Sequence, residues 1–499
     1  MAAIQNEGRL AMRKITIALC ILILFAGIAA GCSQDGMPKL NKEAPTTVVV
    51  WNYYSGKQME AFDALVEEFN NTEGAERGVI VESVSKLGSD VLSEDIIAAA
   101  SGDAGAGPLP NAAFLYSDVA YLLAQRGLLA DYNRYLSEAQ LDAYVDDFLQ
   151  EGKVLGTDKI YILPVAKATE VIVINRTDLG QFIDAWKPGE EPDSVIARQF
   201  ASWEGILGAA QAYYEWSDAQ SPDTPGDGKA FFGIDVLANF IFTTQQQLGG
   251  GLVTVENGVG TVNLNAAALQ TAWDTYYVPI VKGYFGEYNK FRSDDLKAGE
   301  ILSYLGSSSS AVYIPTEVTG ADQQSHPIDV DILPMPVYEG MEPVAIQQGA
   351  GMALLASAPE KEYATTVFAT WFTDPERNTQ FVVQSSYMPV TREALNSLAE
   401  KVEGAQDVVE RTQDVTISQM LAYQMYTVQP YTNAFGVRQI LEGNMRTIAK
   451  NSRKGVEMMM ASGIPYETAV ATFTGPEYLM GYLDDCHRDL DRLGVGHRE

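Results

Sequence analysis

Residues 159–179, KIYILPVAKATEVIVINRTDL, constrain the fold of this chain more than any other stretch. Two short apolar runs, 160–163 and 171–174, flank a polar patch that holds Lys167, Thr169 and Glu170. Both runs are rich in β-branched residues, the pattern of buried strands. Pro164 has no N–H to give to a ladder, so one central strand does not run through the whole stretch. One strand therefore ends, polar side chains are presented, and a second strand begins. Taken alone, this describes a kinked strand whose polar residues face water. The same pattern also fits a chain crossing between two lobes, with the polar patch turned into the cleft. The rest of the chain decides between them.

Read in order, residues 47–51 (TVVVW) form a strand, and Phe62, Leu65, Val66 and Phe69 then fall on one face of a helix. A strand at 79–84, a helix marked by Leu92, Ile96 and Ile97, and a strand at 113–116 follow. Ser117 caps a further helix that stops at Gly127. Strand and helix alternate three times, which predicts a parallel sheet with right-handed crossovers. Beyond residue 179 come turn-rich segments at 184–195 and 217–229 and helices at 203–216, 236–248 and 266–282. A strand at 301–305 runs into Gly306 and four serines, and an alternating strand at 328–333 is stopped by Pro334 and Pro336. The helical remainder is interrupted at residues 385–389, SSYMP. Breaks near 168, 334 and 387 predict an α/β fold of two discontinuous lobes with a ligand cleft between them. The expected segments are 46–168 and 334–386 for the first lobe, and 169–333 and 387–499 for the second.

The N-terminus adds a location. Arg13 and Lys14 precede an apolar run at 15–28, and Ala29-Ala30-Gly31 leads directly into Cys32. This is the form of a lipoprotein signal peptide, residues 1–31, with Met12 as an alternative start. Cys32 is the expected lipidation site, residues 32–45 the tether, and two acyl chains suffice for stable anchoring. The expected place is the cell membrane, facing the extracellular space or periplasm. Of three cysteines, only Cys486 then stays free, so packed cores and not disulfides must hold the fold. A formal net charge of −31 over 499 residues repels phosphate backbones and excludes nucleic acid as a partner. Three histidines make a multi-histidine metal site improbable. Asp485, Cys486 and His487 lie on a charged terminal helix and read as a solvated face. No P-loop, HExxH or Ser-His-Asp order is present, so neither an enzyme nor a cofactor is expected. A secreted glycosidase built on paired carboxylates is the alternative.

The chain resembles the bacterial extracellular solute-binding proteins of carbohydrate ABC transporters, of the maltose- and glycerol-phosphate type. The residues that carry the likeness are VVVWNYYSG, FDALVEEFN, the 159–179 stretch, YLGSSSSAVY, QQGAGMAL, FATWFTDPERNTQFVVQSSYMPVT and GVRQILEGNM, in that order. The resemblance implies a type II periplasmic-binding-protein fold, a monomer working with ABC permease subunits, and a carbohydrate or polyol held between lobes. Aromatic rings suit the faces of such ligands, while carboxylates, amides and backbone N–H groups suit their hydroxyls. Candidate contacts at predicted strand ends are Tyr53, Tyr54 and Ser55, then Ser89 and Asp90, then Ser307, Ser308 and Ser309. Thr169 and Glu170 join them from the polar patch, and Gly349 and Gly351 permit close backbone approach. In the glycerol-phosphate branch the resemblance places ligand contacts at Ser308, Gly349, Tyr387 and Arg438. That branch tends to carry an aromatic residue where this chain has Ser89 and Asp90, and a carboxylate there repels phosphate. A carbohydrate is therefore the expected ligand, with an anionic solute as the alternative.

Overall fold

The computed structural model describes residues 36–320 and 323–498, so the signal segment and Cys32 lie outside the described residues. Two sheets organise it. In the first, strands run in the order Val79–Ser85, Thr46–Asn52, Ala112–Leu115, Gly351–Leu354, Ile162–Pro164. The first three are parallel, as the strand–helix alternation predicts, and Gly351–Leu354 enters antiparallel between Ala112–Leu115 and Ile162–Pro164. Helix Gly56–Asn71 buries Phe62, Leu65, Val66 and Phe69 against this sheet, joined from later in the chain by Phe368, Phe372 and Phe381. Full burial of one such ring contributes about 2–3 kcal/mol.

The second sheet has the order Val330–Pro334, Glu170–Asn175, Ser303–Ser307, Phe232–Ile234. All six residues of Glu170–Asn175 are buried because both faces are covered. Ile172 and Ile174 pack into a large core with Trp203, Phe240, Leu441 and Tyr482, while Val171 and Val173 meet Leu296, Val330 and Ile332 on the other side. This double covering is why the strand reads as an unbroken apolar run instead of an alternation.

The chain crosses between the lobes three times, but two crossings do not coincide with the strand and helix breaks. At the first, Ala168 belongs to the first core and Val171 to the second. Pro334 ends a strand, yet Met335, Tyr338 and Ala345 still pack into the second core; Ala350 is the first residue back in the first. After Tyr387, Met388, Val390, Leu398 and Val402 remain in the first core. Helix Val408–Ala422 then packs on both lobes, Ile417 on the first core and Val408, Val409 and Val415 on the second lobe, and Tyr423, Met425 and Tyr431 follow in the second. A proline or a helix break stops a hydrogen-bond ladder; which core follows is decided by the apolar side chains beyond it.

The three crossings lie side by side. Val344–Ile346 pairs in parallel with Gln424–Tyr426. Ala168 and Gln348 exchange backbone hydrogen bonds of 3.0 and 2.8 Å. Thr169 Oγ1 donates to the Ile346 carbonyl at 2.8 Å, and Gln419 Nε2 donates to Thr169 Oγ1 and to the Glu170 carbonyl, each at 3.0 Å. These bonds knit the crossings into one connecting band.

Candidate functional site

Beside this band, residues of both lobes converge. The first strand ends at Asn52, whose Oδ1 accepts the Tyr54 N–H at 3.0 Å. The turn sends the two neighbouring tyrosines opposite ways. Tyr54 is buried among Phe62, Phe114 and Phe381 at 1 % exposure, so it belongs to the core and not to the cleft. Tyr53 stays half-buried, stacked on Tyr116, with its hydroxyl 3.4 Å from that of Tyr387. Tyr116 follows the third strand as Tyr53 follows the first, their rings stacked. Ser309 is beside Tyr387, and its Oγ lies 2.9 Å from Ser307 Oγ. Five hydroxyl-bearing side chains from both lobes thus gather here. Burial pushes all three tyrosines above the usual phenol range; the nearby Tyr387 adds to the rise at Tyr53 and Tyr116, whereas the Tyr53 hydroxyl opposes it at Tyr387.

A second group lies on the other lobe. Glu170 opens its strand at 1 % exposure, and its Oε1 accepts from Asn239 Nδ2 and from Gln348 Nε2, each at 3.1 Å. Burial, with the Asp235 charge adding to it, raises the Glu170 carboxyl to about 8, although Asn239, Arg438 and Gln348 pull the other way. Arg438, in the first turns of helix Ala434–Ala461, donates from Nη2 to Asn239 Oδ1 at 2.8 Å and lies over the Phe242 ring. Its Nε is 4.0 Å from Asp118 Oδ2 on the first lobe. Burial raises the Asp118 carboxyl despite that guanidinium. The lobes also touch at the rims: Gln58 Nε2 donates to the Ser309 carbonyl at 2.9 Å and Tyr121 Oη to the Gly258 carbonyl at 3.2 Å.

Of the residues expected to line a site, Tyr53, Tyr387, Ser307, Ser309, Glu170 and Arg438 come together here. Others have different work. Ser308 is fully buried, its Oγ accepting from the Thr169 N–H and its carbonyl from Ser386 Oγ; with Thr169 it belongs to the connecting band. The Ser55 carbonyl accepts Tyr313 Oη at 2.8 Å on the exposed rim. Ser89 and Asp90 begin helix Ser89–Ser101, with Asp90 exposed and facing Glu442 of the other lobe. Gly349 has φ +95°, and a Cβ there would lie 2.3 Å from the Ala166 carbonyl oxygen. At Gly351 a Cβ would meet Ile162 and Leu163. Both glycines therefore admit neighbouring backbone, not a ligand. Lys167 is buried in an ion pair with Glu151, inside the first lobe.

Four residues were missed. Tyr116 and Asp118 were within reach of the strand-end rule that found Tyr53. Asn239 and Gln348 were not, because a single amide in a helix or a crossing carries no pattern. At the C-terminus, Asp485 pairs with Arg488 while Cys486 is fully buried, its thiol pushed up to about 12 by desolvation.

A family model described as bacterial extracellular solute-binding protein matches residues 64–408. No curated protein sequence matches. Among solved structures, a cyclic α-maltosyl-1,6-maltose binding protein from Arthrobacter globiformis aligns with a TM-score of 0.60 at 19% identity, covering 90% of this chain and 99% of that one. UgpB from Mycobacterium tuberculosis, in complex with glycerophosphocholine, aligns with a TM-score of 0.62 at 19% identity, covering 88% and 99%. The Thermus thermophilus maltotriose binding protein, bound with maltotriose, aligns with a TM-score of 0.57 at 15% identity, covering 89% and 99%.

Proposed function

The chain belongs to the bacterial extracellular solute-binding proteins, and from that premise we propose that it is the binding subunit of an ABC importer that captures a carbohydrate or polyol between its lobes. The observation that carries this reading is the gathering of Tyr116, Tyr53, Tyr387, Ser309 and Ser307, drawn from both lobes, beside the Glu170, Asn239 and Arg438 group. Tyrosine rings offer apolar faces and polar tips, and the carboxylate and amide groups can accept and donate to a dense set of ligand hydroxyls. Capture proceeds by rotation of the lobes about the three adjacent crossings. The relatives that share the fold include proteins whose structures hold maltotriose and glycerophosphocholine. Cys32 carries the lipid, residues 33–45 serve as tether, and the solute captured outside the membrane is delivered to a permease pair. No catalytic step is assigned to the site.

An anionic solute is the second reading, and Arg438 is the observation in its favour. Its guanidinium, however, is engaged by Asn239 and faced by Asp118. Titration calorimetry of the full-length protein against neutral oligosaccharides, polyols and phosphoesters separates the two. Saturable binding of a neutral oligosaccharide or polyol is expected; binding of phosphoesters alone would replace the first reading with the second.

A further inference from the structure

The charges around Glu170 do not balance. Lys167 is taken by Glu151, Arg446 and Lys450 by Glu287 and Glu442, and Arg292 by Asp295. With these pairs set aside, Arg438 faces the carboxyls of Asp118 and Glu170, and Asp235 adds a third beside Glu170. Asp90 adds one more acidic group across the rim, facing Glu442. Within this cluster Glu170 Oε2 is buried and has no hydrogen-bond partner among the described residues, although Oε1 accepts two. An orphaned buried carboxyl oxygen is costly, on the order of 1–3 kcal/mol, unless a donor reaches it.

Resting on the interlobe reading above, we propose that the ligand is a polyhydroxylated molecule bearing a basic nitrogen, whose ammonium group is received by Glu170 Oε2. The tyrosines and serines take the hydroxylated frame. A neutral sugar can offer Glu170 only a hydroxyl. An ammonium group donates to Oε2, pairs with the carboxylate, and sits among neighbouring carboxyls that favour a cation over a neutral group.

The consequence is a proton. Free Glu170 is largely protonated at neutral pH, since burial raises it to about 8. The charged groups that face it are Asp235, just before helix Leu237–Gln247, and Arg438 on helix Ala434–Ala461; the adjoining crossing and helix Val408–Ala422 present only the amides of Gln348 and Gln419. An ammonium group beside the carboxyl favours its ionised form, so cation binding releases the Glu170 proton to the buffer. Affinity for the cation therefore rises with pH toward about 8, by up to about tenfold per pH unit, and levels off above it. A neutral ligand has no such dependence.

The test uses matched probes made from one frame: maltotriitol against 1-amino-1-deoxymaltotriitol, and glucitol against 1-amino-1-deoxyglucitol. Each is titrated calorimetrically into the full-length protein between about pH 6 and about pH 8, in two buffers of different ionisation enthalpy. The amine is expected to bind at least about tenfold tighter than its neutral partner near pH 7, with about one proton released. In Glu170→Gln, checked for folding by thermal unfolding, the proton release and the pH slope disappear. Equal or tighter binding of the neutral partner, or no proton release, overturns the cation preference and leaves the carbohydrate reading standing. Failure of every neutral and aminated probe to bind overturns both.

Discussion

At the scale of single residues, Tyr53 and Tyr54 show how far adjacent, identical side chains can diverge. Tyr54→Ala removes a ring packed on Phe62, Phe114 and Phe381. It is expected to lower stability by about 3–5 kcal/mol in denaturant unfolding, as large aromatic truncations in cores do. Tyr53→Ala removes a half-buried ring at the lobe junction. It is expected to weaken ligand affinity at least about tenfold while shifting the unfolding midpoint far less. Loss of stability in both variants with unchanged affinity in Tyr53→Ala would take Tyr53 out of the site. Glu170 gives a prediction with a pH sign. Its folded carboxyl is raised to about 8, above the ordinary carboxylate range, so the unfolded chain ionises first as pH rises. Stability from the neutral carboxyl is complete below about pH 4 and is lost progressively up to about pH 8. Glu170→Gln should therefore gain stability over the parent protein more at about pH 8 than at about pH 5, by more than about 1 kcal/mol in paired denaturant titrations. An equal effect at both pH values would mean that Glu170 is already ionised in the folded protein.

At the scale of elements, the connecting band is where sequence reading succeeded in part. Residues 159–179 were legible because Pro164 and the polar patch between two apolar runs mark a strand end and a new beginning within a few residues. The first crossing accordingly falls at Ala168. The others were misplaced by about a dozen residues at Pro334 and by about twenty or more at Tyr387, because a break in a ladder says nothing about which core the next side chains join. The same limit explains Ser308 and Thr169. Their hydroxyls read as ligand contacts, but each hydroxyl is engaged within the band. Gly349 tests the band directly. At φ +95°, with the Ala166 carbonyl 2.3 Å from any added Cβ, Gly349→Ala forces backbone movement where the first and second crossings meet. It is expected to cost about 2 kcal/mol or more in denaturant unfolding. Wild-type stability would show that the band tolerates displacement and does not fix the crossings.

At the scale of the whole molecule, two α/β lobes with separate cores meet through three crossings, several rim contacts and one polar junction. The lobe architecture was legible from alternation and proline breaks; the junction was legible only where a tyrosine, serine or acid stood next to a strand end. Asn239 and Gln348 come from places where no local pattern distinguishes a buried amide from a surface one, yet they orient Glu170 and Arg438. The central claim is that this junction is the capture site for a carbohydrate or polyol. The most direct measurement is calorimetric titration of the full-length protein and of Asn239→Ala, each confirmed as folded, with neutral and aminated oligosaccharides and polyols. Saturable binding with one site per chain is expected, weakened at least about tenfold in Asn239→Ala because Glu170 and Arg438 lose their shared partner. Saturable binding that Asn239→Ala leaves unchanged, or the absence of binding by every oligosaccharide and polyol tried, would contradict it.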